Sequence, residues 1–398
     1  MTGTPQLSTD SAPADHPGDR MEPPADRIPR QATGPVLFLH CAGNERPDGH
    51  ETTTKTALAH AVAQLLGRSY GGHFRDDLAY PEAPYFVPGD TLTLPDATRF
   101  GIRDAGDLFG GVVPQAFVAT KSITHALPDP DAMAPEGWQP GFGERVAEVV
   151  LPGFTAFDHG SARRAGDLLL KSGAVRVKRP DGVGGRGQAV IRDRRQLEEA
   201  LETIPADRLA AEGVVLEANL LDVRTFSVGQ TNLGGLLVSY CGTQRLTRAN
   251  DGSQVYGGSE LLVARGDWDE LLALELAPQT RTAVAQARAY HDAALDCFAG
   301  MFASRSNYDV AQGYDESGTG RSGVLEQSWR IGGATGAEIA AIRAFLADPA
   351  LRSIGASTTE LYGDCGELPN DAVVYFQGDD EVAGPLVKFA RLHSHGNP

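Results

Sequence analysis

The chain has few cysteines. Cys41, Cys241, Cys297 and Cys365 are the only four in 398 residues, and they lie far apart. No Cys-x-x-Cys occurs and no His/Cys cluster has the spacing of a zinc site. Four scattered thiols in a long chain read as buried cysteines of a reducing compartment. No apolar run approaches the roughly 18 residues that a membrane span needs, and the first residues lack the basic-then-apolar order of a secretion signal. The expected location is therefore cytoplasmic. Positive charge is scarce too: 35 Lys and Arg stand against 52 Asp and Glu, a formal net charge of −17. Nucleic acids and anionic membranes are polyanions, so this balance argues against broad binding to either, though not against a local basic pocket. The ten histidines form no His-Glu-x-x-His, and His393 and His395 sit in a polar tail. No Ser-His-Asp or Cys-His arrangement follows from spacing.

What is present is an ordinary globular composition, 41% hydrophobic and 22% charged, long enough for two or three domains. Residues 1–33 carry six prolines and almost no large apolar side chain, so they cannot bury enough surface to offset ordering and are expected to form a disordered tail. Residues 35–40 read as a buried strand and 54–66 as a helix ended by Gly67, an α/β unit. The stretch 68–160 is loop-rich, with a strand-like run at 116–119. Helices are predicted at 161–171, 194–201, 278–302 and 336–346, the second opened by an Asp193/Gln196 capping box. Strands are predicted at 174–178, 188–191, 214–217, 225–228 and 235–240. A hairpin is predicted from 308–312 and 323–328, with its turn at 315–320. Arg245 and Arg248 fall in a Gly- and Asn-rich segment that reads as a solvated loop.

The segment 181–187 (DGVGGRG) contains a literal Gly-x-Gly-x-x-Gly. A dinucleotide fold needs a helix directly after those glycines. Here they run into the strand-like 188–191, so the loop reads as a hairpin tip. Glycines there let the backbone close over a phosphate chain and present its N–H groups. Lys178 ends the incoming strand, where an ammonium reaches a phosphate, and Arg186 adds a second cation. The bland alternative is a tight turn with two solvated cations, but four glycines in six residues favour the phosphate reading. A P-loop is excluded because no Lys-Ser/Thr follows the second glycine, and a protein kinase lacks its HRD and DFG.

The late hairpin alternates in both strands, which puts Asp309 and Glu326 on one face. Two adjacent carboxylates repel unless a cation lies between them, and Mg²⁺ with oxygen ligands bridges phosphates in that way. Arg330 lies four residues beyond Glu326, placed to hold a γ-phosphate or an acyl phosphate. Trp329 alternates with Ser328 and Arg330 and reads as a packing residue.

In order, these features resemble the ATP-grasp superfamily. Lys178 and the loop to Gly187 look like its Lys–glycine-rich signature, 214–218 like its adenine strand and hinge, and Asp222-Val-Arg224 like the Asp-x-Arg that follows. Glu326-Gln-Ser-Trp-Arg330 resembles the Glu-x-Asn-x-Arg of its carboxylase-like members. More narrowly, 110–114, 120–125 and 328–334 look like an uncharacterised bacterial ATP-grasp-like family. The resemblance covers about 110–345. It implies an α/β (α+β) architecture: a tail at 1–33, an N-terminal α/β domain at 34–150, and a two-part nucleotide module with antiparallel sheets, split into 151–230 and 231–398. It implies ATP held by Lys121, Lys178, Gly184, Gly185, Arg186, Gly187, Glu217, Ala218 and Arg224, with Arg330 and Lys178 as catalytic groups. It also implies Mg²⁺ or Mn²⁺ on Asp309, Glu326 and Ser328. Ser328 departs from the usual Asn; its hydroxyl ligates Mg²⁺ but reaches less far.

The function so implied is an ATP-dependent ligase joining a small acidic substrate to an amine or thiol through an acyl phosphate. The alternative is a nucleotide-binding sensor on the same scaffold, which Ser328 favours; a weaker one is phosphoryl transfer to a hydroxyl. A homodimer is compatible with each.

Overall fold

A computed structural model of the protein describes residues 33–41, 46, 48–179, 187–364 and 366–393. Residues 1–32 of the expected tail therefore lie outside the described residues. So do Gly184, Gly185 and Arg186 of the glycine loop, and Cys365.

The first apolar run forms the fully buried strand Val36–Leu39. It pairs in parallel with Tyr70–His73 and Tyr85–Pro88 on its two sides. A parallel neighbour needs a crossover, and the helix His50–Leu65 supplies it. Alternation builds the next layer, an antiparallel four-stranded sheet in the order Gly153–Ala156, Val214–Ala218, Val175–Lys178, Gln188–Ile191. Val175, Val177, Val214 and Leu216 turn one way, into a core shared with Leu197 and Leu201 of the helix Arg194–Glu202 and with Ala162 and Ala165 of His159–Leu169. With period 2, Lys178, Val215 and Glu217 must face the other way.

The largest element is an antiparallel eight-stranded sheet. Its order is Gly320–Ser328, Arg305–Tyr314, Leu221–Leu233, Leu236–Arg248, Gln254–Arg265, Ser353–Tyr362, Gly384–His393, Val373–Asp380. One face packs Phe226, Val228, Cys241, Tyr308 and Val310 against the helix Pro278–Cys297. The other packs Tyr240, Val263 and Ala356 against Ile339, Ile342 and Phe345 of the helix Thr335–Ala347, and against Leu58 and Val62 of the first helix.

Several local expectations are corrected. Ala116–Ala119 is a 3₁₀ turn, closed by bonds from Val118 N to Gln115 O and from Thr120 N to Phe117 O, both at 3.0 Å. The long helix stops at Cys297, where Phe298 turns to extended backbone and Gly300 adopts φ +80°. Arg245 and Arg248 lie on a strand, not in a loop. Asp193 caps its helix through Gln196 N at 2.9 Å, but the Gln196 side chain returns to Arg192 N, one residue before the cap. The 230/231 position falls inside the strand Leu221–Leu233. Trp329, by contrast, is the packing residue expected: it is fully buried, its Nε1 donating to Tyr308 Oη at 3.2 Å.

Candidate functional site

On either side of the glycine loop, Val175–Lys178 and Gln188–Ile191 pair antiparallel with Lys178 opposite Gln188, and Arg179 N donates to Gly187 O at 3.1 Å. A strand follows the glycines, so the dinucleotide alternative is excluded on geometry. Lys178 is buried and its Nζ lies 2.5 Å from Glu217 Oε1. The second Glu217 oxygen, Oε2, lies 3.4 Å from His125 Nε2, and all three side chains are at least 98% buried. Burial alone would raise the Glu217 carboxyl; the Lys178 ammonium and then His125 reverse this and hold it below its ordinary value. Ala218 ends the same strand, its N–H donating to Pro152 O at 2.8 Å.

In the late hairpin, Asp309 and Glu326 are directly opposed, as are Asn307 and Ser328. Lys121 is buried and its Nζ sits 2.6 Å from Glu326 Oε2. Asp309 Oδ1 accepts from Gln244 Nε2 at 2.7 Å and from Asn307 Nδ2 at 3.0 Å. Burial, and then the charge of Glu326, push Asp309 up to about 7. Arg330 lies just past the strand, half-buried, with Nε 3.5 Å from Asp90 Oδ1 beyond the N-terminal strand Tyr85–Pro88. Arg224 is not brought to this face: it is exposed, with its guanidinium 5.2 Å from the Phe226 ring on the opposite side of the sheet from Ser227 and Asp309.

Lys121 and His125 stand on one short segment, the first touching Glu326 and the second Glu217. That segment connects the Lys178 cluster to the Asp309 cluster. Below the hairpin, Arg305 and Glu338 form a fully buried pair at 2.7 Å. Arg305 also donates to the carbonyls of Ser328 and Arg330. Tyr240 Oη lies 2.9 Å from Glu338 Oε1 and 3.0 Å from Asn307 Oδ1.

A divalent cation fits the donors present. They are hard oxygens, and two carboxylates face one another across the hairpin. Among the described residues no three His, Cys, Asp or Glu side chains converge, so further donors at this pair are amides, hydroxyls or phosphate oxygens.

Sequence reasoning missed His125, Gln244, Asn307, Arg305 and Glu338. Asn307 and Arg305 carried a signal: they continue the alternation of Asp309 by two and four residues toward the N-terminus. Gln244 was hidden in a stretch that read as loop, and Glu338 meets Arg305 only through the tertiary fold.

The architecture matches solved structures at low identity. A biotin carboxylase in complex with βγ-ATP from Campylobacter jejuni superposes with a TM-score of 0.52 at 11% identity, covering 90% of this chain and 87% of that one. An N5-carboxyaminoimidazole synthetase from Staphylococcus aureus gives 0.49 at 10% identity, covering 91% and 94%. The fold is that of the ATP-grasp enzymes. No curated protein matches the sequence. A family model described as a protein of unknown function, DUF3182, matches residues 38–390, and the chain belongs to that family.

Proposed function

We propose that the protein is an ATP- and Mg²⁺- or Mn²⁺-dependent ligase that joins a carboxylate to an amine or thiol. The observation that carries this reading is the segment from Lys121 to His125, which touches both a buried Lys–Glu pair on the paired strands Val175–Lys178 and Val214–Ala218, the first of which also pairs with Gln188–Ile191, and a facing pair of carboxylates. Nucleotide phosphates would lie against Lys178, Lys121 and the loop N–H groups, with the adenine toward Glu217 and Ala218. A divalent cation held by Asp309 and Glu326 would supply charge neutralisation at the phosphates.

The chemistry asks little covalent work of the protein. A substrate carboxylate oxygen attacks the γ-phosphorus as the bond to ADP breaks, giving an acyl phosphate. An amine or thiol then attacks the acyl carbon, loses its proton, and phosphate leaves. The residues contribute by positioning and by countering charge. Arg330, whose Nε lies 3.5 Å from Asp90 Oδ1, would meet the phosphoryl group in transit. The sensor reading is favoured by one feature, the short Ser328 side chain opposite Asn307.

The test is a screen of carboxylates with amines and thiols, reading ADP, free phosphate and product together. Ligation yields the three in equal amounts. A stable phosphate ester with little free phosphate identifies a kinase-like transfer. Nucleotide binding with no turnover over a broad screen favours the sensor.

A further inference from the structure

We propose that Gln244 and Asn307 are positioning residues that fix the Asp309 carboxylate for a divalent cation. This rests on the metal-dependent reading above and deepens it. Both amides donate to one and the same oxygen, Asp309 Oδ1. The donors come from different places: Gln244 from the strand Leu236–Arg248, and Asn307 from two residues earlier on the strand of Asp309 itself. Two donors converging on one oxygen set the plane of the carboxylate and leave cation binding to the other oxygen, Oδ2.

The orientation of Asn307 is itself fixed. Its Oδ1 accepts from Ser227 Oγ at 2.6 Å and lies 3.0 Å from Tyr240 Oη. With the oxygen committed there, the NH₂ group must face Asp309. Tyr240 Oη reaches Glu338 Oε1, and Glu338 is locked by Arg305. A relay therefore runs from a fully buried ion pair to the carboxylate, and the same Arg305 holds the Ser328 and Arg330 carbonyls of the facing strand end. Register adds a second reason. Asn307 sits opposite Ser328, the position whose side chain is too short to reach far into the site. Asn307 thus meets the Asp309 side of the hairpin with an amide where the facing strand offers only a hydroxyl, and it does so as a donor to the ligand. Outer partners of this kind orient metal ligands, and their loss costs about 10–100-fold in metal affinity.

The experiment measures Mn²⁺ binding directly, by paramagnetic titration of the full chain with a non-hydrolysable ATP analogue present, alongside ADP affinity in EDTA. Asn307→Ala and Gln244→Ala should each weaken Mn²⁺ binding about 10-fold, and the double variant up to about 100-fold. ADP affinity in EDTA should not change, which a general loss of structure would not permit. Ser227→Ala, which removes one of the two hydroxyls at Asn307 Oδ1 and leaves Tyr240 Oη, should give a smaller loss in the same direction. If Asn307→Ala does not fold, Gln244→Ala carries the test, since Gln244 is half-buried and bonds outward to Asp309. Mn²⁺ affinity equal to wild type in folded Gln244→Ala overturns the assignment. A wild-type chain that binds the nucleotide but no Mn²⁺ overturns the metal reading itself, and the assignment with it.

Discussion

The Lys178–Glu217 pair decides how substitutions at this site must be read. Both groups are buried, and removing one charge leaves the other in a medium that solvates it poorly. Lys178→Ala should therefore cost about 3–5 kcal/mol of stability, with His125 the one remaining partner at the Glu217 carboxylate among the described residues. A loss of ATP binding in that variant is ambiguous. The double variant Lys178→Met with Glu217→Gln should restore most of the stability in chemical denaturation while nucleotide affinity stays low. Glu217 also sets a pH dependence. Its folded-state value lies below the ordinary one, so its contribution is present above the ordinary carboxylate value and is lost as pH falls through the folded value. The double variant should accordingly lose less stability on acidification than the wild type. Asp309 has the opposite sign. Raised from 3.8 to about 7, it contributes stability below about pH 4 that is lost as pH rises through about 7. In EDTA, Asp309→Asn should melt above wild type at pH 8 and alongside it near pH 4. Equal melting at both values would mean that neither burial nor Glu326 raises Asp309 in the folded chain.

At the scale of elements, the late hairpin and the helix Thr335–Ala347 are joined by one buried ion pair. Glu338→Gln leaves Arg305 partly uncompensated under the strand end that carries Ser328 and Arg330, and should cost about 3–5 kcal/mol in denaturant titration. The isosteric change keeps the volume, so the loss reports charge and not packing. This hairpin was legible in the sequence because each strand alternates over five or more residues and the turn residues are Asp, Ser, Thr and Gly. Asp315 indeed accepts from Ser317 N and Thr319 N, both at 3.0 Å. The strand Gln254–Arg265 was not legible. Its Gly257-Gly258 reads as a break, yet Gly258 is required: it has φ +131°, and a Cβ there would collide with the Thr358 carbonyl of the neighbouring strand Ser353–Tyr362. A register shift between Arg245 and Leu246 further spoils the alternation on the partner strand. Glycine served close approach here, and local pattern has no way to distinguish that from a turn.

For the molecule as a whole, a ligand that binds only the folded chain raises its melting temperature by mass action. ATP with Mg²⁺ should do so, by more than ATP in EDTA, and NADH should not; stabilisation by NADH alone would contradict the hairpin geometry on both sides of the glycine loop. The charges that local strings revealed, Lys178, Glu217, Asp309 and Glu326, are those whose neighbours in sequence also form the site. His125 meets Glu217 across 92 residues and Gln244 meets Asp309 across 65, separations over which composition and periodicity carry no information. One further consequence follows from the bond between Ala218 N and Pro152 O. The chain leaves for the four-stranded sheet after Pro152 and comes back at Asn219, and departure and return lie side by side, with Gly153 paired to Glu217. In genetic terms the excursion is one uninterrupted block of coding sequence. A cut at codons 152 and 219 severs no strand of the eight-stranded sheet, and what such a cut does sever includes side-chain contacts, Glu217 with His125 and Arg192 with Glu316.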